Sequence, residues 1–462
     1  MRLLLFALVT ALSAASLEAA QPKPQFPNVL LITVDTLRAD HLSCYGYARR
    51  TSPYLDELAR EGTRFERAYT VIPLTGPAHL ALMTSRYPQE NGVRRNGEAL
   101  PSDRALVTLP QILRSHGYDT AGFVSSWPLL GRLTHLNDYF EHYDETLTRT
   151  YQLFNSSRYA EDVTPLALKW LHKHAGHKKP FFLWVHYFDP HSPYISRTGF
   201  EPPNVDPAHP LKPSKDGDMR QRARDYDSEI YYTDHYIGKL LGALDDLHVR
   251  DNTLVVVTAD HGESLGQHGY VGHGRHLYEG ILHIPLIIRF PGHVKAGNVV
   301  HTPVSIIDIT PTIVDFTVQN VAAAKQKVPI VFSGRSLASV LSDGAPLTNR
   351  WIYYVTFPGK KGYAPHWLSW MWVSNEELPS RFGRTDNYSK MVWDPNDQKL
   401  YLYDLRKDPH ELHGRELSGQ GQIYTADTSQ LKKWFLHTET RAQEQKLSDH
   451  DVEVLKSLGY VQ

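Results

Sequence analysis

Residues Asn28–Asp35 read NVLLITVD, and this stretch decides the architecture. A short, nearly continuous apolar run that stops on an acid predicts a buried strand with a polar residue at its carboxyl end. Working outward, SPYLDELAREG (Ser52–Gly62) carries Ser at the cap, Pro in the first turn and Gly at the end, which predicts a helix. FFLWVHYFD (181–189), TLVVVTAD (253–260) and IPLIIRF (284–290) repeat the buried-strand pattern, separated by helical segments such as SEIYYTDHYIGKLLGALDDL (228–247). Strands alternating with helices predict an α/β fold, a large sheet layered by helices. In such sheets sites form beyond the carboxyl ends of the strands, where this chain delivers Asp35, the pair Asp189 and His191, and the pair Asp260 and His261.

The 462 residues are 41% hydrophobic and 21% charged, an ordinary globular composition with material for a large core. Lys and Arg number 49 against 50 Asp and Glu, so no bulk field draws the chain to nucleic acid or an anionic membrane. Residues 1–20, MRLLLFALVTALSAASLEAA, have the layout of a secretory signal peptide: one Arg, an apolar run, then small residues. That run is too short and poorly flanked to span a membrane stably, and residues 21–27, QPKPQFP, read as a linker. Secretion or export to a periplasm is therefore expected, with no stable membrane span after processing. The sole cysteine, Cys44, cannot form an internal disulfide and reads as a small buried residue. From about Pro329 the texture changes: WIYYVTF (351–357), YSKMVWD (388–394) and QKLYLYDL (398–405) predict short antiparallel strands, followed by a helical pattern from about Ser429 to Leu458. The expected organisation is a catalytic domain over 28–328 and a smaller α+β subdomain over 329–462.

Asp35, Asp260 and His261 supply the oxygen and imidazole donors that suit Mn²⁺ or Zn²⁺, with Ca²⁺ less natural beside a histidine. In YTVIPLTGPAHLALMTSRYPQENGV (Tyr69–Val93), Thr75 precedes Gly-Pro and a helical run. It should sit at a helix N-terminus, where free N–H groups favour an anion. There a hydroxyl touching a cation can attack as a nucleophile, or it can simply cap the helix. Asp234 and His235 fall inside a helix and read as structural. His268, His273 and His276 follow the metal pair in a glycine-rich loop, and His273 is the one favoured as a substrate contact. Asp189 with His191 offers a place for a second metal, or the Asp-Pro-His turn presents His191 as a donor.

The chain from about Asn28 to Gln462 resembles the sulfatase family of the alkaline phosphatase superfamily. The resemblance rests on NVLLITVDTLRADHLSCYGYARRTSPYLDELAREGTRFERAY, DPHSPY, TADHGESLGQHGY, GHGRHLYEGILHIPLIIRFPG and LYLYDLRKDPHE, in that order. It implies a large α/β domain with a mixed sheet, a smaller C-terminal sheet subdomain, and one divalent metal beneath a covalent nucleophile. Carried over by motif, Asp35, Thr75, Asp260 and His261 would hold the metal. Thr75 would be the nucleophile, and His191 and His273 would contact the substrate oxyanion or leaving group.

The departures are informative too. Formylglycine sulfatases carry Cys or Ser followed by x-Pro-x-Arg; this chain has Thr75-Gly-Pro-Ala-His79, so the aldehyde cannot be made and His79 stands in the arginine's place. Paired aspartates become Asp35-Thr36, the Gly-Lys-Trp-His segment becomes GFVSSWPL (122–129), and a lysine becomes His273. What remains resembles the phosphoryl-transferring branches that use an unmodified Thr or Ser. The expected activity is metal-dependent hydrolysis of phosphate or sulfate esters through a covalent Thr75 intermediate, phosphate mono- or diesters ahead of sulfates. The expected substrate is an anionic ester of a small molecule, a glycan or a lipid headgroup. Three alternatives stay open: an arylsulfatase-like sulfuric ester hydrolase, a phosphoryl-group transferase, and an inactive anion- or glycan-binding homologue.

Overall fold

The structure is a computed structural model. It describes residues 26–418 apart from 102–105, 152–153, 204–216, 320–330, 349, 358–380, 386–387 and 395–398, together with 429, 431, 433 and 434. The expected signal peptide, most of the expected linker and nearly all of the expected C-terminal helix lie outside the described residues.

Asn28–Val34 is the centre of an eight-stranded sheet. Its order runs Asn298–Val300, Thr63–Phe65, Leu286–Arg289, Thr253–Ala259, Asn28–Val34, Phe181–Tyr187, Asp119–Phe123, His142–Asp144. Only Leu286–Arg289 runs antiparallel to its neighbours, so the sheet is mixed. Every residue of the three central strands is buried, as their unbroken apolar runs predict. The register pairs Val34 with Tyr187 on one side and with Ala259 on the other. Asp35 and Asp260 therefore leave the sheet at the same level, side by side.

Helices layer this sheet. Ala160–His174 and Gly217–Asp246 pack together, and Gly217–Asp246 also packs on Pro53–Glu61. A second group joins Thr75–Thr84 to Leu109–Ser115 and Ile309–Val314. Pro53–Glu61 is the helix expected from Ser52 and Gly62, but its cap comes from elsewhere. Ser52 makes no side-chain cap bond, and the Tyr54 and Leu55 N–H groups donate instead to the Asp234 carboxylate, both at 2.9 Å. Asp234 is thus a structural cap across two helices, as its place inside a helix suggests.

The C-terminal region forms a five-stranded antiparallel meander, Ile352–Thr356, Arg381–Thr385, Ser389–Asp394, Lys399–Asp404 and Arg415–Ser418. Three of its strands match the expected ones; Arg381–Thr385 and Arg415–Ser418 had no clear apolar pattern. Val355, Trp393 and Leu400 join the main core, and buried Lys390 bridges Glu279 of the larger unit at 2.9 Å and Glu411 at 2.7 Å.

Candidate active site

At the carboxyl ends of the central strands, donor atoms of Asp35, Asp260 and His261 lie within 4.8 Å of one another, and all three residues are fully buried. Thr36, at a left-handed φ of 55°, turns the chain so that its N–H donates to Asp260 Oδ1 at 3.1 Å. The His261 N–H reaches the same oxygen at 2.8 Å. Among the described residues, Asp260 Oδ2 and both oxygens of Asp35 find no well-formed hydrogen bond. Burial pushes the Asp35 carboxyl up to about 8, with the His273 charge opposing and Glu263 adding to the rise. Burial and the Asp35 charge raise Asp260 as well.

His261 completes this cluster through its tautomer. Its Nδ1 faces the Gly262 carbonyl at 3.0 Å, an acceptor only, so Nδ1 carries the proton. Nε2 therefore presents a lone pair, 3.4 Å from Asp260 Oδ2 and 3.5 Å from Thr75 Oγ1. Burial, then the His273 charge, lowers its pKa well below the ordinary value and keeps the ring neutral. Unsatisfied buried carboxylate oxygens beside a deprotonated imidazole nitrogen are costly alone and fit a divalent cation.

Thr75 opens the helix Thr75–Thr84 and is fully buried. The N-cap residue is Leu74, and the Thr75 hydroxyl makes no cap bond to its helix. It is turned to His261 and also acts on the Asp35 carboxyl, opposing its upward shift. Next to it, the Gly76 N–H donates to Asn96 Oδ1 at 2.8 Å, and a Cβ at Gly76 would meet that oxygen at 3.1 Å. His79 stands one layer behind. Its Nδ1–H donates to the Thr75 carbonyl at 2.8 Å, and its Nε2 accepts from Thr33 Oγ1 at 3.0 Å, which in turn accepts from Trp184 Nε1 at 2.9 Å.

His191 and His273 meet the cluster from the other side. The His273 ring lies 4.3 Å from that of His261 and 5.3 Å from that of His191. Burial disfavours a charged His273, but Glu263, 3.2 Å from its Nδ1, together with Asp35 and Asp260 raises its pKa. His191 stacks on Phe188 and donates from Nδ1 to the Ser192 carbonyl at 2.7 Å. Burial, then the His273 charge, lowers it to about 4, which leaves it neutral.

Other candidates lie elsewhere. Asp189 accepts from the Ala160 N–H with both oxygens at 3.1 Å and faces Arg197 at 3.5 Å; among the described residues no three-donor cluster contains Asp189 or His191. His268 and His276 stack on Tyr278. Cys44 is half-buried, and burial raises its thiol above its ordinary range. A cavity of about 710 Å³ lined by Arg67, Tyr69, Glu279, Tyr388 and Glu411 opens against the five-stranded sheet, but no residue of the acidic cluster lines it. Sequence reasoning missed Asn96, Glu263 and His186. His186 had one signal, a lone histidine inside the apolar run FFLWVHYFD.

This mixed sheet, with an Asp–Asp–His cluster beneath a helix-borne hydroxyl, defines an ester hydrolase of the alkaline phosphatase superfamily, of the class that cleaves sulfuric esters. The model of the sulfatase family matches residues 27–318, and that of the N-sulphoglucosamine sulphohydrolase C-terminal region matches 266–439. The chain belongs to the sulfatase family. It is 30% identical to the N-acetylgalactosamine-6-sulfatase of Canis lupus familiaris over 75% of this chain and 72% of that one. It is 25% identical to the N-acetylglucosamine-6-O-sulfatase of Bacteroides thetaiotaomicron over 88% and 85%. The phosphonate monoester hydrolase of Silicibacter pomeroyi shares the fold with a TM-score of 0.66 at 24% identity, over 89% of this chain and 94% of that one.

Proposed function

We propose that the chain hydrolyses anionic esters through a covalent Thr75 intermediate and favours phosphate mono- or diesters over sulfates. The observation that carries this is the orientation of Thr75: its hydroxyl is turned onto the lone pair of His261 Nε2 instead of capping its helix. Asp35, Thr75, Asp260 and His261 would hold one divalent ion. Bound there, the ion would offset the carboxylate charges and make the hydroxyl more acidic.

The chain's own residues carry the rest. Thr75 Oγ1 bonds to the central atom as the bond to the leaving oxygen breaks in line with it, and the hydroxyl proton ends on the departing alcohol. His273, its positive charge favoured by Glu263, donates to the substrate's oxygens, and neutral His191 lies beside it. His79 holds the Thr75 carbonyl and so fixes the start of the helix. Water then attacks the central atom of the Thr75 ester and releases the acid.

The preference for phosphorus follows from the single hydroxyl. A hydrated formylglycine has a second hydroxyl that expels sulfate by breaking a carbon–oxygen bond, whereas the Thr75 ester must be opened at the central atom. Catalytic domain 28–328, subdomain 329–462 and export with loss of residues 1–20 belong to the same reading. Among the described residues no helix is long and apolar enough to cross a membrane. Sulfuric ester hydrolysis is the reaction that the family match supports, and the preference for phosphorus is the finer reading. Rates on p-nitrophenyl phosphate, bis-p-nitrophenyl phosphate and p-nitrophenyl sulfate decide between them: phosphorus esters should be cleaved faster in a metal-dependent way. Sulfate turnover that dominates would refute the preference while leaving the family's reaction intact.

A further inference from the structure

His186 lies inside the central sheet, fully buried, one strand away from Asp35. The Ser125 N–H donates to its Nδ1 at 3.2 Å, and Ser125 Oγ donates to the His186 carbonyl at 2.5 Å. A backbone N–H can only donate, so Nδ1 is the acceptor and the single proton of the neutral ring sits on Nε2. Burial, with the Arg158 charge adding to it, lowers the ring to about 3, so no second proton competes at neutral pH. Among the described residues Nε2 has no formed hydrogen bond, and the nearest acidic oxygen is Asp35 Oδ2 at 3.5 Å. Ser125 belongs to GFVSSWPL, the segment that departs from the formylglycine pattern.

We propose that His186 is the positioning residue for Asp35: Ser125 locks its tautomer so that Nε2–H is aimed at Asp35 Oδ2 and orients that carboxylate to receive a cation. At 3.5 Å the pair is slightly beyond a well-made hydrogen bond. The inference rests on Asp35 being a metal ligand, as proposed above. It differs from a second metal site built from His79, His186 and Asp260, whose donor atoms also lie within 4.8 Å of one another. His79 donates from Nδ1 and accepts at Nε2, so neither of its nitrogens is left for an ion, and protonated Nε2 of His186 offers no lone pair.

Two isosteres separate the ring's two ends. Asn at 186 places an acceptor near Nδ1 and keeps the Ser125 bond but loses the donor to Asp35, whereas Gln reaches the Nε2 position and restores that donor. The measurement is the Mn²⁺ and Zn²⁺ affinity of purified protein by chelator competition, with ion stoichiometry and the melting temperature of the metal-free chain alongside. His186→Asn should weaken the metal by roughly 10- to 100-fold, as loss of a ligand's supporting hydrogen bond does, and His186→Gln should recover most of the affinity. Ring ¹⁵N spectra of the wild type should show the Nε2–H tautomer, a readout that does not depend on any variant folding. Wild-type affinity in folded His186→Asn, a stoichiometry falling from two ions to one, or an Nδ1–H signature would each overturn the inference. Failure of the underlying metal site looks different: the wild type would hold no ion and Asp260→Ala would change nothing, which sinks both readings together.

Discussion

Thr75→Val separates the nucleophile from the helix residue. Valine keeps the β-branch and nearly the volume of threonine, so the fully buried site is left without a cavity. The hydroxyl faces His261 Nε2 at 3.5 Å, longer than a well-made hydrogen bond, and the N-cap position belongs to Leu74. Losing that contact should cost less than about 1 kcal/mol, or under about 4 °C in melting temperature. A hydroxyl that forms the covalent ester supplies on the order of 4 kcal/mol or more of transition-state stabilisation, so kcat/KM should fall about a thousandfold or further. Steady-state rates on bis-p-nitrophenyl phosphate and p-nitrophenyl sulfate, with thermal melts of the same preparations, read both quantities. Stability lost with turnover kept at the wild-type level would refute the reasoning and return Thr75 to the helix. Turnover lost in a chain that melts as the wild type does is what a nucleophile requires.

Two further outcomes follow from the same geometry. Asp260→Ala removes both the oxygen nearest His261 Nε2 and the acceptor of the Thr36 and His261 N–H groups, so elemental analysis should find one divalent ion per wild-type chain and none in the variant. Glu229 is held near 8 by burial and by the Asp189 charge, against Arg197; its folded pKa is above its unfolded one, so its contribution is present below about 4.5 and is lost as pH rises through about 8. Chemical denaturation should therefore show Glu229→Gln matching the wild type near pH 5 and exceeding it near pH 9 by on the order of 1–3 kcal/mol, and equal pH slopes in the two proteins would exclude the assignment.

The central strands were readable because burial on both faces writes an unbroken apolar run, and an acid at its end marks where the sheet stops. Val29 to Ile32 and Leu254 to Val257 show this in their near-complete burial. Short or marginal strands such as Thr63–Phe65 and His142–Asp144 carry no such run, because neighbours already in place define them more than their own residues do. The Ser52 signal located a helix start correctly while its chemistry came from Asp234, 182 positions away by numbering (234 − 52), a partner that local spacing cannot reveal.

The same asymmetry governs the site. Asp35, Thr75, Asp260 and His261 announce themselves by type and position, whereas the residues around them appear in the sequence only as losses: an arginine gone at His79, a lysine segment gone at GFVSSWPL. The structure shows what fills those places. Trp184 donates to Thr33, Thr33 to His79, and His79 to the Thr75 carbonyl; Ser125 donates to His186, which faces Asp35. Both are buried chains of neutral donors ending on the proposed nucleophile and on a proposed metal ligand. A neutral imidazole in a dry site orients a partner without adding charge, whereas Arg or Lys would both orient it and attract anions. Replacing the arginine by neutral His79, and the lysine segment by the uncharged GFVSSWPL, therefore keeps the start of the Thr75 helix in place and removes positive charge. That pairing accounts for a chain that holds the family's sheet and acidic cluster while departing at its charged positions together.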